Sequence, residues 1–200
     1  MNSCNNNQSS IILPNPITQV ASMPYALYLS LQGNYFLGST EELQFGNGRN
    51  AWAGLFNPYN SGVNLHVYFW GVSNTGDTPI RAQIWFNSNP PGCPTRVTSV
   101  TAANTALCPP PRTKIVFLQA SNVIGDPEGG VKAFVRRAPA KTTISDVEVG
   151  KFIMPPCGSF VISLGTPETP NEAGRATVGF AWFESKIDSH SKQYDSDQSY

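Results

Sequence analysis

Residues 63–86 read VNLHVYFWGVSNTGDTPIRAQIWF, and the fold class turns on how this stretch is read. Val63, Leu65, Val67 and Phe69 recur at every second position, the period of an extended chain with one face buried. Asn74-Thr75-Gly76-Asp77 then supplies a turn, and Ile80, Ala82, Ile84 and Phe86 resume the alternation. Working outward, similar runs are RVTSV (96–100), TKIVFLQA (113–120), VKAFVRR (131–137), GKFIM (150–154), SFVISL (159–164) and RATVGFAWF (175–183). YALYLSL (25–31) also reads as a strand, with Tyr25, Leu27, Leu29 and Leu31 on one face. Ser88-Asn89-Pro90-Pro91-Gly92, Gly125-Asp126-Pro127 and Gly165-Thr166-Pro167 are turn signals between the runs. No segment of helical length carries an apolar stripe at the 3.6-residue period. The expected class is therefore all-β. Eight or more short strands imply a β-sandwich, and a jelly roll in particular, over residues 25–184. Residues 142–148 read as a polar edge strand or a protruding hairpin.

Composition narrows the function classes. Two hundred residues fit one domain with a good core. Charged residues make up 13% of the chain, against about 25% in a typical domain. Asn, Ser, Thr, Gly and Pro fill the deficit, and the formal net charge is zero. Copies of such a chain repel one another weakly, which favours association. There is no basic stripe for nucleic acid. No apolar run has membrane-spanning length, so no membrane insertion is expected. The start has no positive segment, and Ile11-Ile12-Leu13 is too short for a signal-peptide core. Synthesis in the cytoplasm without a standard export signal is expected.

The two ends differ. Glu41 is the first charged residue, so everything before it is neutral. Residues 1–24 read as a connector arm, held extended by Pro14 and Pro16. Ile11, Ile12, Leu13, Ile17 and Val20 are its apolar groups, available to dock on a neighbour. Residues 185–200 form a polar, charged tail. The four cysteines are Cys4, in the arm, and Cys93, Cys108 and Cys157, in the proline-rich segments PPGCP, ALCPPP and MPPCGS. Proline resists burial in a sheet, so these three segments are expected at the surface. None of the cysteines forms a CxxC pair, and the histidines are too few and too distant for a zinc site.

Signals of catalysis are sparse. The chain has no GxSxG elbow, Walker A loop, HExxH or dinucleotide-binding glycine fingerprint. His190 lies in the tail, and His66 stands alone in a strand with no nucleophile–base pair visible around it. Glu41 and Glu42 would point to opposite faces if extended, and Asp126-Pro127-Glu128 lacks the spacing of a calcium loop. No catalytic residue, metal or cofactor is assigned. Trp70 and Trp85 fall on the faces opposite Val67 and Phe69 and opposite Ile84 and Phe86. That leaves both sides of their strands partly apolar, as in a sheet covered twice. The second cover could be the protein's own loops, a ligand or another subunit. Exposed tryptophans would make a platform for sugar rings, whereas core packing is the plainer role.

NAWAGLFNPYNSGVNLHVYFWGVSN (50–74), LQGNYFLGSTEELQFGNG (31–48) and GKFIMPPCGSFVISL (150–164) resemble an uncharacterised protein family of spore-forming Firmicutes. That resemblance brings no known activity and no catalytic residues. In architecture the chain also resembles endospore appendage subunits, small jelly rolls with a neutral, cysteine-bearing connector and no signal peptide. Those connectors often carry paired cysteines, whereas this arm has only Cys4. The likeness implies a self-assembling structural subunit of a fibre or surface layer, its arm inserted into the next copy. Cys4 would then bond to Cys93, Cys108 or Cys157 of that copy. It further implies synthesis in the mother cell and a final place on the spore or cell surface. The alternatives are a carbohydrate-binding module using Trp70 and Trp85, and a phage-like capsid or tail protein.

Overall fold

The computed structural model describes residues 22–187. The first element of the described residues is one short helix, α1 (Tyr25–Leu31). Five strands follow, β1 (Tyr35–Ser39), β2 (Leu43–Gly46), β3 (Asn50–Phe56), β4 (Val63–Asn74) and β5 (Ile80–Phe86). Three more are β6 (Thr95–Arg96), β7 (Val100–Ala102) and β8 (Val116–Val123). The last four are β9 (Val131–Ala138), β10 (Thr143–Met154), β11 (Ser159–Gly165) and β12 (Ala173–Lys186). They form two antiparallel sheets, ordered β10-β4-β12-β1-β7 with β2 also on β12, and β6-β8-β3-β11-β5-β9. The β-sandwich expected from the alternation is what the chain adopts.

The connectivity is nested. β1 and β2 pair with β12, β3 with β11, β4 with β10, and β5 with β9. This is one long antiparallel ribbon, turned back near β5 and β9, whose successive pairs go to alternate sheets. β6, β7 and β8 lie between β5 and β9 in sequence and extend both sheets on the opposite flank. The inner faces meet in a single core, with Trp182, Phe117, Phe160, Phe180, Leu55 and Ile162 each no more than 2% exposed. Each such side chain contributes roughly 1.5–3 kcal/mol by leaving water.

Residues 25–31 are a correction, being helix and not strand. Alternation would bury Tyr25, Leu27, Leu29 and Leu31 together, yet only Leu29 is buried. Spacings of three and four decide the segment. Tyr25 and Tyr28 stack at 6.2 Å, and Tyr25 meets Phe183 edge-on at 5.7 Å. Pro24 sits just ahead of the first turn, where its fixed φ is harmless. The end was legible as well. Gly33, at φ 74°, donates to Ser30 O while Asn34 donates to Leu29 O, closing the helix in a Schellman motif. The turn from β2 to β3, which passes between the sheets, is similarly local. Asn47 and Gly48 both have positive φ, and Gly46 and Arg49 exchange two backbone bonds across them, a two-residue type I′ turn.

The second correction concerns β4. Its ladder with β12 pairs Phe69 with Ala181 but Val67 with Trp182, so Tyr68 is an extra residue, a β-bulge. The bulge reverses the parity of the strand. Val63, Leu65 and Val67 face the core before it, and Trp70 and Val72 face the core after it. Phe69, expected inside with Val67, lies outside over Gly179 and Ala181. β10 is irregular at the same level, between Val147 and Phe152.

Candidate functional site

The flank formed by β9 and β10 stands out. Each is the last strand of its sheet, and the two are stacked at the same side of the sandwich. β9 pairs only with β5, so its other edge has no backbone partner among the described residues. It carries Val131 (62% exposed), Val135 (50%) and Phe134 (37%), and β10 adds Val147, Val149 and Ile153, all exposed. Long apolar edges are usually covered or blunted in a monomer. Lys132, Arg136 and Arg137 make β9 cationic, and none of them is in an ion pair among the described residues. Lys132 instead sits over the Trp85 ring at 5.4 Å, and Arg136 over Phe134 at 5.3 Å. The opposite edges are short, two residues in β6 and three in β7.

Cys93, Cys108 and Cys157 are all exposed and free, at three separate places. Cys93 belongs to the loop that crosses the outside of the second sheet, where Pro91 O accepts from Trp52 Nε1 at 2.7 Å. Cys108 is in the segment whose Leu107 and Pro111 close over Gly33. Cys157 occupies a turn closed by Gly158 N to Pro155 O, at φ 70°, a conformation that costs an L-residue about 1 kcal/mol or more. Cys4, Ile11, Ile12, Leu13, Ile17 and Val20 lie outside the described residues.

The tryptophans part company. Trp70 is 3% exposed in the core and donates from Nε1 to Glu148 Oε1 at 3.1 Å, so it presents no ring to solvent. Glu148 in turn holds Lys151 Nζ at 2.8 Å. Trp85 is half-buried on the outer face, in a small cluster with Trp52, Ala120, Val123 and Val161. The second cover of that sheet is, over Trp52, the protein's own 88–94 loop.

His66 has a neighbour that sequence could not show. Its Nε2 lies 2.9 Å from Ser185 Oγ and its Nδ1 lies 3.2 Å from Gly150 O, while Phe183 stacks on the ring at 4.5 Å. A carbonyl only accepts, so Nδ1 carries the proton and Nε2 accepts from the serine. Burial holds the ring below the ordinary histidine value, which keeps it neutral near pH 7, although the Gly150 bond opposes this. The spacing is that of a nucleophile and base, with a backbone carbonyl in the third place. Cross-strand register creates the contact. His66 pairs with Phe183, and Ser185 is the diagonal neighbour on the same face.

Ser185 also borders a cavity of about 550 Å³ lined by Tyr25, Tyr28, Arg112, Lys114 and Glu184. Glu184 is 6% exposed; Thr113 Oγ1 donates to it, and Lys114 N donates to both carboxylate oxygens at 3.1 and 3.2 Å. Burial pushes its carboxyl above the ordinary range despite these donors. The nearby Trp182 indole favours the ionised form, but its N–H falls short of hydrogen-bond geometry. Among the described residues no three His, Cys, Asp or Glu gather as a metal would require. No described helix is long and apolar enough to cross a membrane.

No curated protein and no solved structure matches the chain. A family model described as "Family of unknown function (DUF6143)" matches residues 9–189, so the resemblance to an uncharacterised family is a membership, and the chain belongs to that family.

Proposed function

We propose that this protein is a self-assembling structural subunit of a fibre or surface layer. The observation that carries the reading is the β9–β10 flank, two edge strands left uncovered by the described residues, with exposed Val131, Val135, Val147 and Val149, on a chain with only 13% charged residues. The nested strand order supports a jelly roll as the body of such a subunit. The connector arm, residues 1–24, would join one copy to the next, with Cys4 bonding to Cys93, Cys108 or Cys157. All three candidate thiols on the body are exposed, which a covalent link between copies requires. A head-to-tail join of this kind leads to a filament unless its rotation closes a ring.

Energetics decide how the arm would hold. Five apolar side chains at roughly 2 kcal/mol each give about 10 kcal/mol. Ordering residues 11–20 costs about 10–20 kcal/mol in backbone entropy. Apolar burial alone therefore does not secure the arm, and main-chain bonds to an open sheet edge are needed. A spore appendage is the setting in which export by cell lysis would reconcile cysteine cross-links with cytoplasmic synthesis. The same design would serve a phage capsid or tail. The glycan-binding alternative loses half its platform, since Trp70 is buried.

Deletion of residues 1–20 tests the reading. The body should stay folded, by circular dichroism, and negative-stain microscopy should show that it no longer polymerises. Unchanged filaments would rule out the arm as connector. Cys4→Ser should still assemble, with less resistance to heat and detergent.

A further inference from the structure

We infer that β9 is the edge that receives the arm, and that residues 11–20 of a second copy lie along it as an added, sheet-ending strand. The inference rests on the assembly reading above.

Length and charge select this pairing. β9 has eight residues, about 26 Å when extended, and residues 11–20 span about 33 Å. The edges of β6 and β7, at two and three residues, are too short for such a strand. β9 has one extra residue, Ala133, opposite Ile84 and Trp85, whereas β10 is broken over the longer stretch between Val147 and Phe152, and its neighbourhood carries Asp146, Glu148 and Lys151. Pairing β9 with its own counterpart in another copy would set Lys132, Arg136 and Arg137 against the same three cations, which is destabilising. The arm has no charged residue, so it meets no such repulsion. Val131 and Val135 give the arm's isoleucines apolar neighbours, and both are already exposed.

The arm's prolines specify its orientation. In a strand the N–H and C=O of one residue point to the same side, and those of the next residue to the other. Pro14 and Pro16 have the same parity, so both missing N–H groups lie on one edge of the arm. The other edge, carrying the groups of Ile11, Leu13, Asn15, Ile17 and Gln19, keeps every donor. Such a strand bonds on one side only. It would close the β9 edge and prevent further sheet growth, as proline does in natural edge strands.

Two neighbouring substitutions in the full chain separate this from a looser role of the arm. Gln19→Pro removes a donor from the bonding edge, and Thr18→Pro removes one from the edge already blocked. Neither alters an apolar side chain or the body. Gln19→Pro should raise the concentration for half-assembly roughly tenfold or more, read by sedimentation, with Thr18→Pro close to the parent. Amide exchange in residues 131–138 should slow on assembly in the parent and in Thr18→Pro, and stay fast in Gln19→Pro. Equal behaviour of the two variants, or unprotected β9 amides in the assembled protein, would overturn the edge assignment while leaving the arm as connector if deletion of residues 1–20 still abolishes assembly. Slow β9 exchange in a protein that stays monomeric would place the arm on its own body and refute the second copy. If neither assembly nor β9 protection occurs at any concentration, this inference and the assembly reading fail together.

Discussion

Trp70→Phe measures whether the bulge at Tyr68 sets the inward face of β4 as described. Trp70 is 3% exposed, packs in the main core and donates to Glu148, itself 4% exposed. Phenylalanine keeps a ring but loses the second ring and the N–H. The packing loss amounts to about 1 kcal/mol, at the low end for buried large-to-small changes. Removing a donor to a buried carboxylate adds about 1.5–3 kcal/mol. Glu148 keeps the Lys151 ammonium, which is largely in solvent and cannot replace the indole inside. The total is about 3 kcal/mol, read as a shift of the urea midpoint at constant slope. The same change in a Glu148→Leu background should cost only the packing part, leaving a coupling of about 2 kcal/mol. Were Trp70 a solvent-facing platform, with regular alternation through Tyr68, the change would stay within about 0.5 kcal/mol. A shift that small in the parent would refute both the parity reversal and the Trp70–Glu148 bond, and an equal cost in the two backgrounds would refute the bond alone.

Glu184 gives a pH-dependent expectation. Burial raises its carboxyl in the folded protein, so folding favours the protonated form, and its contribution is full below the ordinary value near 4.5 and is lost as pH rises through the folded value. Glu184→Gln, whose carbonyl still accepts from Thr113 and Lys114, should flatten this loss and be at least as stable as the parent at pH 7 in urea titrations. A variant less stable at pH 7 than at pH 4.5, by as much as the parent, would remove Glu184 as the source. The Ser185–His66 contact is expected to be structural. A fluorophosphonate probe should leave Ser185 unmodified, by mass spectrometry of the labelled chain. Labelling that disappears in His66→Ala would instead establish a nucleophile and its base.

The class of fold was legible because alternation is a local property. Val63, Leu65 and Val67, then Ile80, Ala82 and Ile84, face the core as their spacing requires. What failed, failed for identifiable reasons. Residues 25–31 satisfy both periods, and the helix was chosen by Leu29 packing and the Gly33 cap, although LQGN carried the capping signal. Beyond Val67 a single inserted residue shifted every later side chain of β4 by one face, and no local pattern marks a bulge. Ser185 was out of reach because its histidine partner is 119 residues away in the chain.

By itself the sequence settles what depends on neighbours in the chain. These are the extended runs, the turns between them, the surface placement of Cys93, Cys108 and Cys157 beside proline, and the lack of charge before Glu41. Tertiary structure alone decided the nested strand order, the burial of Trp70 and the exposure of β9. Strand pairing joins residues tens to more than a hundred positions apart, such as Tyr35 with Phe183. Edge and centre strands share the same alternation, and only the completed sheet shows which of them lacks a partner.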